Sequence, residues 1–204
     1  MKTYKEIYKI AYLKIKGIPF NKVNLKELFD FHSPFIIRRA GGAGSVGGFL
    51  SMTTYDGYED KKIIGLFDYD GEGCENFYLL QRRCNNQWST GIKGDKKTGF
   101  FIKRDKHECF CALLLPIPDR LNGITSDISE GVFISYVEIE NLIKEEKLIE
   151  QKCVDKKTFT DKTYYKIKTS MKSKAFEKYS TLDKEDFDDF IPLFDKIEEL
   201  FDLT

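Results

Sequence analysis

Long apolar runs are missing from this chain of 204 residues. No stretch nears the ~20 consecutive apolar residues that cross a bilayer, and the opening MKTYKEIYKI has no apolar signal core. Net charge is missing too: Lys+Arg and Asp+Glu both number 33. That excludes a polyelectrolyte coating nucleic acid wholesale, but not a local basic groove, because binding follows the field at a patch. Cysteine is sparse, 5 residues at irregular spacing, as in reduced thiols rather than a disulfide framework. The expectation is a soluble, cytoplasmic protein with no membrane partner. Histidine is scarcer still. His32 stands alone, and His107-x-Cys109-x-Cys111 is not a zinc spacing; both cysteines lie in an apolar run and read as core thiols. With 41% hydrophobic and 14% aromatic residues, the chain is neither disordered nor of low complexity, and it can bury a core.

What is there alternates helix and strand, the pattern of an α/β sheet protein. Ile7, Ile10, Ala11 and Ile15 predict a helix over 4–16, ended by Gly17-Ile18-Pro19. A short helix is expected over 25–29 and a short buried strand at Phe35-Ile36-Ile37. A glycine-rich turn follows from Ala40 to Gly48, with helix starting at Phe49. Residues 62–67 read as a strand covered on both faces, and 75–83 as a helix. Further strands are expected over 99–103, 109–115 and 132–137, the last leading into a short helix. The chain closes on an amphipathic helix over 187–203, capped at or beside Asp183. Lysine dominates 152–178 and the tail is acidic. No internal repeat or Gly/Ser linker divides the chain. The expected organisation is an α/β domain over 1–150, with the Lys-rich segment and terminal helix of 151–204 packed on it.

Asp68 and Asp70 follow the 62–67 strand directly. Residues i and i+2 of an extended chain point the same way, so both carboxylates can converge on one cation. Hard oxygen donors there suit Mg²⁺ or Mn²⁺, which take one or two protein carboxylates and leave room for phosphate. The plain alternative is an Asp-Gly turn with solvated acids. A calcium loop fails, because its twelfth position is Leu79 rather than a bidentate Glu. A haloacid-dehalogenase-type phosphatase fits poorly, because Glu72 stands where Thr or Val is wanted. Gly42-Ala43-Gly44-Ser45-Val46-Gly47 satisfies G-x-G-x-x-G with an acid about 20 residues on, but a tight turn with helix packing explains it as well. Glu138 and Glu140, also at a strand end, could add a carboxylate to the metal centre or could simply start a helix. Lys174 could hold a phosphate or stabilise its charge in the transition state, although most of the nine lysines around it are solvated surface.

The run Ile63-Ile64-Gly65-Leu66-Phe67-Asp68-Tyr69-Asp70-Gly71-Glu72-Gly73 resembles the Asp-x-Asp motif of TOPRIM domains, particularly those of OLD-family (overcoming lysogenisation defect) endonucleases. Neighbouring segments resemble the family in order. They are the glycine-rich turn 40–48, Ala112 to Pro118 ending in Pro-x-Pro, Tyr136-Val137-Glu138-Ile139-Glu140-Asn141, and Lys174-Ala175-Phe176 through Phe187, Phe190 and Phe194. The resemblance implies a TOPRIM-like (Rossmann-like), mostly parallel central sheet flanked by helices. It implies a Mg²⁺- or Mn²⁺-dependent DNA endonuclease, with Asp68, Asp70, Glu138 and Glu140 as metal ligands and Asp68, Asp70 and Lys174 in the chemistry. DNA held by its phosphates, a separate ATPase subunit and an anti-phage setting come with it. Family members open on a strand bearing Glu-Gly-x-x-Asp. Here Tyr12-Leu13-Lys14 resembles the helix after that strand, Lys9 falls near the motif's Asp, and no strand precedes. The resemblance therefore implies a truncated chain or one without its general acid/base. The alternatives are a degenerate TOPRIM fold that binds nucleic acid or a partner without catalysis, and a nucleotide-binding module built on Gly42–Gly47.

Overall fold

The computed structural model describes residues 4–52, 58, 61–83, 88, 91–105, 107–126, 135–159, 162–172 and 174–203. The fold is mixed α/β and divides into two compact units, each made of two chain segments. The first joins Met1–Arg39 to Glu138–Phe194, and the second joins Ala40–Val137 to Asp195–Thr204. The boundary read from the sequence at 150/151 falls inside the first unit.

In the first unit, α1 (Tyr4–Ile15) and α2 (Leu25–His32) carry the apolar spacing that the sequence shows. Ile7, Ile10 and Leu13 of α1 are buried, which is why that stripe is helical: one face removes its side chains from water. Tyr12 meets the rings of Phe29, Phe35 and Phe194 edge-on at 5.4, 5.7 and 5.3 Å, the arrangement favoured by ring quadrupoles. Phe35 therefore packs as part of an aromatic cluster and not as a strand. Residues 35–37 have no strand hydrogen bonding, and Ile36 is 66% exposed, which overturns the strand expected there. After Glu138 come a 3-10 helix at Ile139–Leu142, α5 (Glu145–Glu150) and two antiparallel strands, β6 (Val154–Phe159) and β7 (Lys162–Ile167). Both strands lie in the Lys-rich stretch 152–178, where no strand is expected from the sequence. Next are α6 (Thr169–Lys172), α7 (Ala175–Tyr179), a 3-10 helix at Lys184–Phe190 and the start of α8 (Ile191–Leu200). Asp183 caps the 3-10 helix reciprocally with Asp186, its N–H donating to Asp186 Oδ2 at 3.0 Å.

The second unit holds a three-stranded sheet in the order β1 (Ile63–Phe67), β4 (His107–Leu114), β3 (Phe101–Arg104). β1 and β4 run parallel, Ile63 opposite Phe110 through Phe67 opposite Leu114, while β3 and β4 are antiparallel. Phe110 to Leu114 are buried because β4 is the middle strand. A second, antiparallel pair joins β2 (Tyr69–Asp70) to β5 (Tyr136–Val137); positions 132–134 of the strand expected there lie outside the described residues. Among the described residues, β1–β4 is the one parallel pairing, against an expectation of a mostly parallel sheet.

The glycine-rich segment is mostly helix rather than turn: α3 spans Ala43–Leu50. Its reason is close packing. A Cβ on Gly65 of β1 would stand 2.5 Å from Leu50 Cδ1 and 2.8 Å from Val46 Cγ1, so α3 lies directly on the strand at that glycine. Helix α4 (Gly71–Arg83) starts four residues earlier than its apolar spacing predicts.

Candidate metal centre at the end of the first strand

The carboxyl end of β1 is where the chain changes partners. β1 pairs with β4, β2 pairs with β5, and Asp68 is the single residue between them. Asp70 ends β2 and immediately precedes α4. The two aspartates are thus held at one corner by three elements, and both are half-buried.

The corner is tight. Asp70 Oδ1 accepts the Gly73 N–H at 2.7 Å, the hydrogen bond of an N-cap. A Cβ on Gly73 would lie 2.0 Å from the Asp68 carbonyl oxygen. No side chain other than hydrogen fits there with the backbone where it is. The second glycine of Asp68-Tyr69-Asp70-Gly71-Glu72-Gly73 is thereby explained without a ligand.

Behind the carboxylates lies a buried polar layer. Tyr69 is buried and its hydroxyl donates to the Ser126 carbonyl at 3.2 Å. Ser135, also buried, accepts the Ser126 N–H on Oγ at 3.0 Å. The Cys74 thiol is pushed up to about 12, first by burial and then by the negative charge of Asp70, with a hydrogen bond from Ser135 opposing the shift. Cys74 is consequently a protonated, inert thiol at neutral pH. Lys96 is the residue that sequence reasoning passed over. Its ammonium donates to the Thr125 carbonyl at 3.2 Å and to Thr125 Oγ1 at 3.3 Å, and its charge reaches the Cys74 thiol. In the sequence it is one lysine in a charged loop, Lys93-Gly94-Asp95-Lys96-Lys97, with no spacing to mark it.

Glu138, Glu140 and Lys174, also singled out from the sequence, lie in the first unit. Glu138 precedes the 3-10 helix Ile139–Leu142 and forms a capping box with Asn141, its N–H donating to Asn141 Oδ1 at 2.9 Å. Glu140 is 3% exposed, and its charge helps raise the buried Tyr179 hydroxyl, after burial and Cys153. Lys174 is exposed at the start of α7; its charge is a minor contributor to the lowered Glu177 carboxyl, behind the hydrogen bond from Lys22. Among the described residues, no three His, Cys, Asp or Glu converge as a ready-made metal cage.

The glycine fingerprint fares poorly on geometry. No strand leads into Gly42, and a Cβ on Gly42 would face Glu72 Oε1 at 3.6 Å. A carboxylate beside the start of α3 disfavours a bound phosphate there.

Carboxylates are the donor type that a hard divalent cation takes, and Mg²⁺ uses one or two of them when phosphate and water complete its shell; one oxygen of Asp70 is engaged by the Gly73 N–H. No helix among the described residues is long and apolar enough to cross a membrane. No family model matches the chain, and neither does a curated protein or a solved structure.

Proposed function

We propose that the corner at the end of β1 holds Mg²⁺ or Mn²⁺ on Asp68 and Asp70 and that the protein is a TOPRIM-like, OLD-type nuclease acting on DNA phosphodiesters. The observation that carries this reading is the placement of both carboxylates where a parallel strand ends and a helix begins, the position at which open α/β sheets bind ligands. A bound cation supplies charge neutralisation at the attacking and leaving oxygens. The chain's own contribution is orientation. Gly73 fixes Asp70 through its N–H, the tight corner fixes Asp68, and Lys96 places a positive charge in the same unit for a phosphate oxygen. DNA is held through its backbone without base readout. The reading rests on the two aspartates; Glu138, Glu140 and Lys174 are not needed for it. A separate ATPase partner and an anti-phage role belong to the same reading.

The test is nicking of supercoiled plasmid under a Mn²⁺ titration, with Asp68→Asn/Asp70→Asn beside wild type. Asparagine keeps the capping acceptor at position 70, so the urea midpoint should hold. Nicking should fall by about 100-fold or more. No nicking by wild type, or undiminished nicking by the double variant, overturns the nuclease reading.

One observation favours a second reading, a TOPRIM-like module that binds nucleic acid without cutting it: Asp70 already serves as the cap of α4. Wild type that retains plasmid without nicking it at any Mn²⁺ concentration is the result expected of that module.

A further inference from the structure

The lysines of 152–178 are not equivalent once folded. Lys168 pairs with Asp155 at 3.7 Å and donates to the Lys152 carbonyl at 3.3 Å. Lys178 donates to the Gln151 carbonyl at 3.1 Å. These two tie down the root of the β6–β7 ribbon. Ile167 and Cys153 are buried there, and Asn141 Nδ2 donates to the Tyr165 carbonyl at 2.9 Å. Lys156, Lys157 and Lys166 are exposed, and among the described residues they make no ion pair.

The register sorts them by face. Lys157 stands opposite Tyr164, and Lys166 opposite Asp155, on one face; Lys156 stands opposite Tyr165 on the other. Each face of the ribbon therefore sets an ammonium beside a phenol. Between Lys152 and Lys168 the sequence has six lysines and two aspartates. The segment is thus locally basic in a chain whose total charge is zero. Six residues per strand extend for about 20 Å, the rise of roughly six base pairs. A two-stranded ribbon is also narrow enough to follow a duplex groove.

We propose that the β6–β7 ribbon is a docking surface for double-stranded DNA, gripping backbone phosphates through Lys156, Lys157 and Lys166. The choice of DNA as ligand rests on the phosphodiester reading above; the binding itself needs neither aspartate nor metal. The competing explanation is protective. Lysines on both edges of an isolated ribbon also prevent edge-to-edge aggregation, and an acidic membrane surface offers the same charge complementarity.

Fluorescence anisotropy with a labelled 20-base-pair duplex of arbitrary sequence, in EDTA and across 50–200 mM salt, separates these. The variants are Lys156→Ser/Lys157→Ser/Lys166→Ser and the same three positions as Arg. Wild type should bind, and the serine variant's log K against log salt should be shallower by about 3. The ratio of wild-type to serine-variant affinity should then shrink about 40-fold from 50 to 200 mM salt. The arginine variant should restore both affinity and slope. Equal affinity and slope for wild type and serine variant overturn the proposal. So does serine-variant aggregation with unchanged DNA affinity, which assigns the lysines to edge protection. Wild type that ignores the duplex but binds vesicles of phosphatidylserine and phosphatidylcholine also overturns it. Because the chelated assay cannot register cleavage, ribbon failure with intact Mn²⁺-dependent nicking leaves the metal corner standing. DNA binding without nicking does the reverse.

Discussion

Replacing Gly73 by Ala separates the geometry of the acidic corner from ordinary helix propensity, because the two predict opposite signs. Gly73 sits in the first turn of α4, where alanine normally gains about 1 kcal/mol over glycine. Here the new Cβ would stand 2.0 Å from the Asp68 carbonyl oxygen. That atom is backbone and cannot rotate away, so the corner itself must move. Overpacking of this kind costs about 1–3 kcal/mol, and displacing the Gly73 N–H from Asp70 removes a capping bond worth about 1 kcal/mol. Set against the propensity gain, the net loss is about 2 kcal/mol. Gly44 and Gly48, in α3, have nothing within 4 Å of their Cβ positions. The same substitution there should stabilise by about 0.5–1 kcal/mol. Urea unfolding followed by far-UV circular dichroism measures all three, with an unchanged m-value certifying that the midpoints report stability. Mn²⁺ titration of the folded Gly73→Ala protein should show weakened binding as Asp68 shifts. A Gly73→Ala variant as stable as wild type, or more so, refutes the close approach and with it the argument that the corner is rigid.

Two further outcomes follow from packing and titration. Gly65→Ala should cost about 1–3 kcal/mol in wild type and less in a Leu50→Ala background, where only the 2.8 Å approach to Val46 Cγ1 is left. The clash at 2.5 Å is with Leu50 Cδ1, and a double-mutant cycle by urea denaturation reads that coupling. Stability should also fall as pH rises above 9, the ordinary thiol value: unfolded Cys74 loses its proton there, while the folded thiol, pushed up to about 12, keeps it. The unfolded state then binds fewer protons, so the slope contributed by this group is about −1.4 kcal/mol per pH unit between those values. Urea midpoints from pH 8 to pH 10 should drop more steeply for wild type than for Cys74→Ala, and parallel curves would remove Cys74 from the account.

The strand-to-helix corner bearing Asp68 and Asp70 was legible because a short, continuous apolar run ending in Asp-x-Asp constrains the local structure. Strand β1, the carboxylates and helix α4 all follow from it. Three residues of hydrophobicity at 35–37 were not enough. Phe35 is instead held by the rings of Tyr12 and Phe29, a tertiary fact with no local signature, and Ile36 is left exposed. The glycines of 40–48 suggested a turn because their helix is specified from outside, by the need to lie against Gly65. In the β6–β7 ribbon lysine masks strand propensity: Val154, Thr158, Thr163, Tyr164, Tyr165 and Ile167 are strand formers, but the charges between them break the apolar pattern. Lys96 had no pattern at all, and only the fold brings it to Thr125.

The division of the chain into interleaved segments has a consequence for biosynthesis. Helix α1 packs in the same unit as the 3-10 helix Lys184–Phe190, and ~170 residues must be translated between them, a wait of about 10–30 s at ordinary elongation rates. Throughout that interval the stripe of Ile7, Ile10 and Leu13, fully buried in the finished protein, has no complete site to enter. The sheet-bearing segment Ala40–Val137 emerges meanwhile and needs only the terminal residues from Asp195 to complete its unit. The order of synthesis thus presents strands β1 to β5 and the Asp68–Asp70 corner before β6 and β7, while both units wait for their last segments to emerge.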